Sequence, residues 1–124
     1  MQKYFGGFRS VDEIHDEFAA YANSGYSGPR EQLPEFPTEN EILFAAYEGG
    51  SYEGDAEVLY ERDGKLFEVQ GGHCSCNGLE GQWNPIETDW KTINLRPRDG
   101  SFLSSYSYAE ATRKAFWELV DSKL

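Results

Sequence analysis

Residues Ala56–Gln70, AEVLYERDGKLFEVQ, set a single Asp63-Gly64 between two runs of strand-forming residues. A two-residue Asp-Gly loop of type I′ needs positive φ at both positions, and few other dipeptides supply it. The loop also sets the register, pairing Arg62 with Lys65, Glu61 with Leu66, Tyr60 with Phe67, Leu59 with Glu68 and Val58 with Val69. Val58, Tyr60, Phe67 and Val69 then share one face, which has to be buried. The opposite face carries Glu57, Glu61, Glu68 and Gln70 with Leu59 and Leu66 among them, the pattern of a sheet wet on one side.

The other elements follow from spacing. Tyr4, Phe5 and Phe8 suit a short strand or ordered arm. Ser10 and Glu13 form a capping box ahead of Val11, Ile14, Phe18 and Tyr21, which predicts a helix from Val11 to Asn23. Glycines and prolines make residues 24–38 a long loop. The run EILFAAY at 41–47 has a capping box of its own in Thr38 and Glu41, yet the Gly-Gly after it and the hairpin beyond favour the first strand of a meander. Residues 86–95 suggest another strand around Trp90, Thr92 and Ile93. Ser107 and Glu110 open a C-terminal helix whose inner face is Tyr108, Ala111, Thr112, Ala115, Phe116, Leu119 and Val120. The expected fold is α+β: one domain over residues 1–124, with an antiparallel sheet of three to five strands and two helices packed on one face.

Charge is distributed unevenly. The net charge is −11, and residues 1–61 hold thirteen acids against three bases. From Glu31 to Glu61 there are nine acids and no Lys or Arg. Such a field repels nucleic acid and anionic membrane, and it speeds association with basic surfaces. An acidic surface also serves solubility alone, so the charge leaves two readings open. Direct nucleic-acid binding is not expected, nor is a membrane span, since no run approaches the ~20 apolar residues a bilayer requires. The N-terminus has no apolar export core, and the only cysteines, Cys74 and Cys76, are too close to staple distant segments. A cytoplasmic protein is expected.

His73, Cys74 and Cys76 are the one group of metal-competent side chains in the sequence pattern. A structural zinc site takes four ligands, usually with C-x2-4-C spacing, and this string supplies at most three. Thiols and an imidazole that order a glycine-rich loop are the first reading, with no cofactor, and zinc is the second. Neighbouring residues on an extended segment point to opposite faces, so His73 and Cys74 do not form a nucleophile and its base. No other motif spells out a reaction, and enzymatic activity is not expected.

The strings YEGDA, DGKLFEV and GGHCSCNGLEGQWNP, between Tyr52 and Pro85, resemble small uncharacterised proteins of bacteriophages and prophages. Asn77 stands where those proteins commonly have an aromatic residue, and Ile86 where they have an acid. The resemblance brings no catalytic residue with it. It implies a small acidic phage-type interaction protein in a host bacterial cytoplasm, a stoichiometric inhibitor of a host or defence complex, CRISPR complexes included. Its partner would be a basic protein or a nucleic-acid-binding complex whose groove attracts acids as it attracts phosphates. The contacts this reading selects are Glu31, Glu35, Glu39, Glu48, Glu53 and Asp55, with Tyr26, Phe36 and Tyr52 as aromatic anchors. The alternative is a small-molecule or zinc-binding module with its site in the His73–Trp83 loop.

Overall fold

The computed structural model describes residues 2–19, 33, 35–50, 52–74, 78–98 and 108–124. Among them are five strands in one sheet: β1 (Tyr4–Gly6), β2 (Ile42–Gly49), β3 (Gly54–Arg62), β4 (Lys65–His73) and β5 (Ile86–Thr88), in the order β1-β2-β3-β4-β5. Three helices accompany them, α1 (Val11–Ala19), α2 (Trp90–Asn94) and α3 (Glu110–Ser122). The fold is α+β. Its sheet is mostly antiparallel and made mixed by β1, which pairs parallel to β2 with Phe5 opposite Ala46. None of the three helices is long and apolar enough to cross a membrane.

The hairpin has the expected register from Arg62↔Lys65 to Val58↔Val69 and carries it on to Gly54↔His73. Asp63 and Gly64 take φ of +53° and +76°, as a type I′ turn requires. Residues 42–49 are a strand, as the meander predicts. The Thr38–Glu41 capping box also forms, with Thr38 N–H donating to Glu41 Oε1 at 2.9 Å, but it closes a turn before β2 rather than starting a helix. A bulge between Ile42 and Phe44 lets Ile42 pack with Tyr60 and Phe44 with Leu59, so this unbroken apolar run supplies both faces of the sheet.

Both faces are buried, which corrects the expectation of two helices on one face. On the first, Ile14 and Phe18 of α1 pack with Phe8, Ala45, Ala56, Val58, Tyr60, Val69 and Leu79. On the second, Ile93 of α2 and Phe116, Trp117 and Val120 of α3 pack with Phe5, Phe44, Ala46, Leu59 and Leu66. The rings of Phe44 and Phe116 meet edge to face at 5.3 Å. Truncating either ring to alanine removes a fully buried side chain, a loss of about 3–5 kcal/mol.

Two other boundaries differ. The stretch 86–95 is a short strand followed by α2, because Asp89 accepts from Thr92 N–H at 2.7 Å and caps a helix there. The C-terminal helix begins at Glu110, not at the box opened by Ser107, which lies outside the described residues. Its N-cap residue, Ala109, makes no side-chain cap. The carboxylate of Glu48 caps it from β2, accepting from Ala109 N–H at 3.0 Å and from Thr112 Oγ1 at 2.9 Å.

Burial of the second face encloses Glu57 and Glu68, which are 1% and 7% exposed. Arg96, just past α2, grips Glu68 with two hydrogen bonds of 2.6 Å. Burial pulls Glu68 upward, but the Arg96 fork and a hydrogen bond with Glu57 outweigh it and hold Glu68 below the ordinary carboxylate range. Glu57 goes the other way. Burial pushes it well above the ordinary 4.5, and the adjacent Glu68 pushes it further. Its Oε1 accepts from Gln70 at 3.1 Å, whereas Oε2 meets no N–H donor. Burial therefore favours the protonated form of Glu57 beside the charged Glu68.

Stability consequently falls on both sides of the mildly acid range. Above pH 4.5 the unfolded chain releases the Glu57 proton that the native state retains, at up to about 1.4 kcal/mol per pH unit until the raised native pKa is reached. Below 4.5 the contributions of Glu68 and of Glu41, whose carboxyl Arg62 holds down at about 2, are lost as those groups protonate. Urea midpoints should peak near pH 5. Glu57→Gln, a neutral mimic of the protonated acid, should raise the midpoint at pH 8 and leave it nearly unchanged at pH 5. An equal effect at both pH values would show Glu57 to be ionised in the native state. Arg96→Met leaves Glu68 buried without its counterion and should cost about 3 kcal/mol in the same denaturation series.

Candidate partner-binding surfaces

The described acids between residues 35 and 61 do not form one surface. Because β2 and β3 run antiparallel, Glu35, Glu39, Glu41 and Glu61 lie at the β3–β4 turn end of the sheet, while Glu48, Glu53 and Asp55 lie at the β2–β3 turn end. The nine residues of β3 separate the two ends by about 26 Å at ~3.3 Å per residue. That exceeds the roughly 8 Å Debye length at physiological salt, so the two ends act as separate fields.

Several of the acids have internal tasks. Glu39 pairs with Lys3 at 3.3 Å and accepts from the Tyr4 hydroxyl, which with the burial of Tyr4 pushes that phenol up. Glu41 binds Arg62 at 2.8 Å, Glu48 caps α3, and Glu57 is in the core. Phe36 is not an exposed anchor: its ring sits between His15 and Trp83, at 4.8 Å from each. Glu31, Tyr26 and Cys76 lie outside the described residues. Glu39 is exposed but paired, and the other exposed residues among the sequence-selected contacts are Glu35, Tyr52, Glu53 and Asp55.

Three of these four cluster at one turn. Gly50 N–H donates to Glu53 O at 2.8 Å and closes the β2–β3 connection, placing Tyr52 at its tip with Glu53 and Asp55 beside it. Tyr52 is 77% exposed, the most exposed aromatic ring among the described residues. Beside the tip lies a cleft of about 640 Å³ lined by Gly6, Gly7, Tyr47, Glu48, Gly49, His73 and Ala109. Burial raises the Tyr47 phenol, and Glu17 and Glu80 raise it further, so the cleft has an acidic surround.

His73 forms one wall of this cleft. Its ring meets Tyr47 edge-on at 5.4 Å and lies over Gly54, where any Cβ would come within 2.5 Å of Cε1. Its Nδ1 is buried there and has no hydrogen-bond partner. Cys74 is exposed. Among the described residues no three His, Cys, Asp or Glu side chains are placed to share a metal ion. The loop after them is pinned to β4 by Gln82, which accepts from Gly72 N–H and donates to Gly72 O, both at 2.8 Å. Leu79 is fully buried and Trp83 half-buried, as their apolar character within a glycine-rich loop predicts.

Two groupings escaped the sequence patterns. The Glu57–Glu68 pair has the split protonation of an acid–base dyad, but Glu57 is 1% exposed and neither carboxyl lines the cleft described above. Leu59 and Leu66, apolar residues on a face otherwise read as wet, were the signal that this face is covered. The other grouping, at the far end of the sheet, is a cavity of about 330 Å³ walled by Glu35, Tyr60, Arg62, Phe67, Trp83 and Pro85. Only the pairing of Tyr60 with Phe67 was visible in the sequence.

The chain matches no protein-family model, and neither the curated proteins nor the solved structures include one detectably similar to it.

Proposed function

We propose that this protein is a binding protein that engages a basic surface of a partner, of the kind that otherwise holds nucleic-acid phosphates, through the β2–β3 turn. The observation that carries this reading is Tyr52, 77% exposed at a turn tip between acids. A large amphipathic ring with few side-chain rotors, at a turn closed by a backbone hydrogen bond, is the kind of side chain that concentrates binding energy at interfaces. Glu53 and Asp55 supply the charge that steers a basic partner and fixes its orientation. The resemblance to phage proteins extends the reading to a stoichiometric inhibitor of a host or defence complex, CRISPR complexes among them. In that role the acids compete with DNA or RNA for one groove, and no turnover is involved.

The test is capture from nuclease-treated bacterial lysate by the immobilised protein at low salt, followed by elution with rising salt. Nucleic-acid-binding proteins should be retained and should leave as the charges are screened. The triple variant Tyr52→Ala, Glu53→Lys, Asp55→Lys should lose them, with the tyrosine alone contributing about 2 kcal/mol, or roughly thirtyfold in affinity. Capture that survives the triple variant would place the interface elsewhere.

A further inference from the structure

At the opposite end of the sheet, Tyr60, Phe67 and Trp83 form a row of nearly parallel rings. Tyr60 stacks on Phe67 at 5.2 Å with 20° between planes, and on Trp83 at 6.0 Å with 11°. The cavity of about 330 Å³ touches all three rings and Pro85, and among the described residues Glu35 and Arg62 also line it. Aromatic walls with a carboxylate at the rim suit a flat cation, which lies on ring faces and is drawn by the negative π-face and the carboxylate together.

The fold holds Glu35 at this rim in an unusual conformation. Its φ is +50°, the left-handed region that residues with a Cβ rarely adopt. Arg62 secures it, donating from Nη1 to Glu35 O at 2.6 Å and from Nη2 to Phe36 O at 3.1 Å. The Arg62 charge is directed first to Glu41 and only secondarily to Glu35. Its Nε and Nη2 bind the Glu41 carboxylate at 2.9 and 2.8 Å, which leaves the Glu35 carboxylate as the net charge of the group. Glu35 is exposed and forms no ion pair among the described residues. Backbone strain at a residue lining a cavity is often associated with a functional site.

We infer that the cavity walled by Tyr60, Phe67, Trp83 and Pro85 is a docking slot for an arginine side chain of a polypeptide partner, its guanidinium laid against the partly exposed rings of Phe67 and Trp83 and paired with Glu35. A planar guanidinium fits both requirements, whereas a lysine ammonium forms no planar stack and no two-pronged carboxylate contact. The slot lies at the other end of the sheet from Tyr52, so this inference and the proposed function can fail separately.

The experiment is a titration of the ¹⁵N-labelled protein with Nα-acetyl-arginine methylamide. It is read at the Trp83 indole N–H, assigned by its absence in Trp83→Phe, with the Trp90 and Trp117 indoles as controls. A saturable shift confined to Trp83, in the millimolar range, is expected. The citrulline derivative, which has the same shape without the charge, should not produce it, and the lysine derivative should bind more weakly. Glu35→Gln, a substitution at an exposed position, should weaken the arginine derivative by about three- to fivefold. The triple variant at Tyr52, Glu53 and Asp55 should bind it normally. The inference is overturned by no shift at 50-fold molar excess in the tens of millimolar, by equal shifts with citrulline, by an unaffected Glu35→Gln, or by comparable shifts at all three indoles. Tighter binding of free L-arginine than of the blocked derivative would overturn the polypeptide source in favour of an amino-acid pocket.

Discussion

Everything on the second face of the sheet depends on the contact between Arg96 and Glu68. A sheet covered on both sides has no water to solvate the two glutamates that β3 and β4 present there, and an unpaired buried carboxylate costs several kcal/mol. The chain meets this with one guanidinium and one retained proton. Arg96 answers Glu68 through two 2.6 Å hydrogen bonds, and Glu57 stays neutral between Glu68 and Gln70. Only with that charge settled can Phe116, Trp117 and Val120 of α3 close over Phe44, Leu59 and Leu66.

The segment that delivers Arg96 is short and held at several points. β5 hydrogen-bonds to β4, Asp89 caps α2, Ile93 is fully buried, and Arg98 reaches Asp121 of α3 at 2.7 Å while its guanidinium lies 4.5 Å from the Trp117 ring centroid. The five-residue helix α2 would not persist alone. It is stable because the strand before it and the arginines after it are each tied to something larger. The same economy is visible at the other helix end, where Glu48 of β2 supplies the cap that Ala109 lacks.

The hairpin was legible because its determinants are local. Two residues set φ, and the pleat then assigns every side chain to a face. The covering of the second face was not, because its determinant is Arg96, 28 positions from Glu68. Read alone, Glu57, Glu61, Glu68 and Gln70 look like an ordinary solvated face, and only Leu59 and Leu66 speak against it. The strand read at 86–95 ends at Thr88 for a related reason: Trp90, Thr92 and Ile93 have strand propensity, and a single Asp89 side chain was enough to start a helix there instead. Thr38 and Glu41 show the reverse case, with capping chemistry intact and no helix after it. At the candidate sites, the exposure of Tyr52 followed from turn residues around it, whereas the aromatic slot required the loop carrying Trp83 to fold back onto Tyr60.

A count of acids therefore says less about binding than their bookkeeping in space. Glu39, Glu41, Glu48, Glu57 and Glu68 are committed to ion pairs, a helix cap or the core, so the surface field is carried by fewer groups than the composition suggests. Of the described acids between residues 35 and 61, what remains is split between two ends of a sheet whose middle strand is buried on both faces. Such a strand is a stiff spacer, since its side chains are close-packed above and below. The consequence is geometric. A partner that touches both ends must span about 26 Å of rigid sheet, and one that touches a single end feels only the charges clustered there.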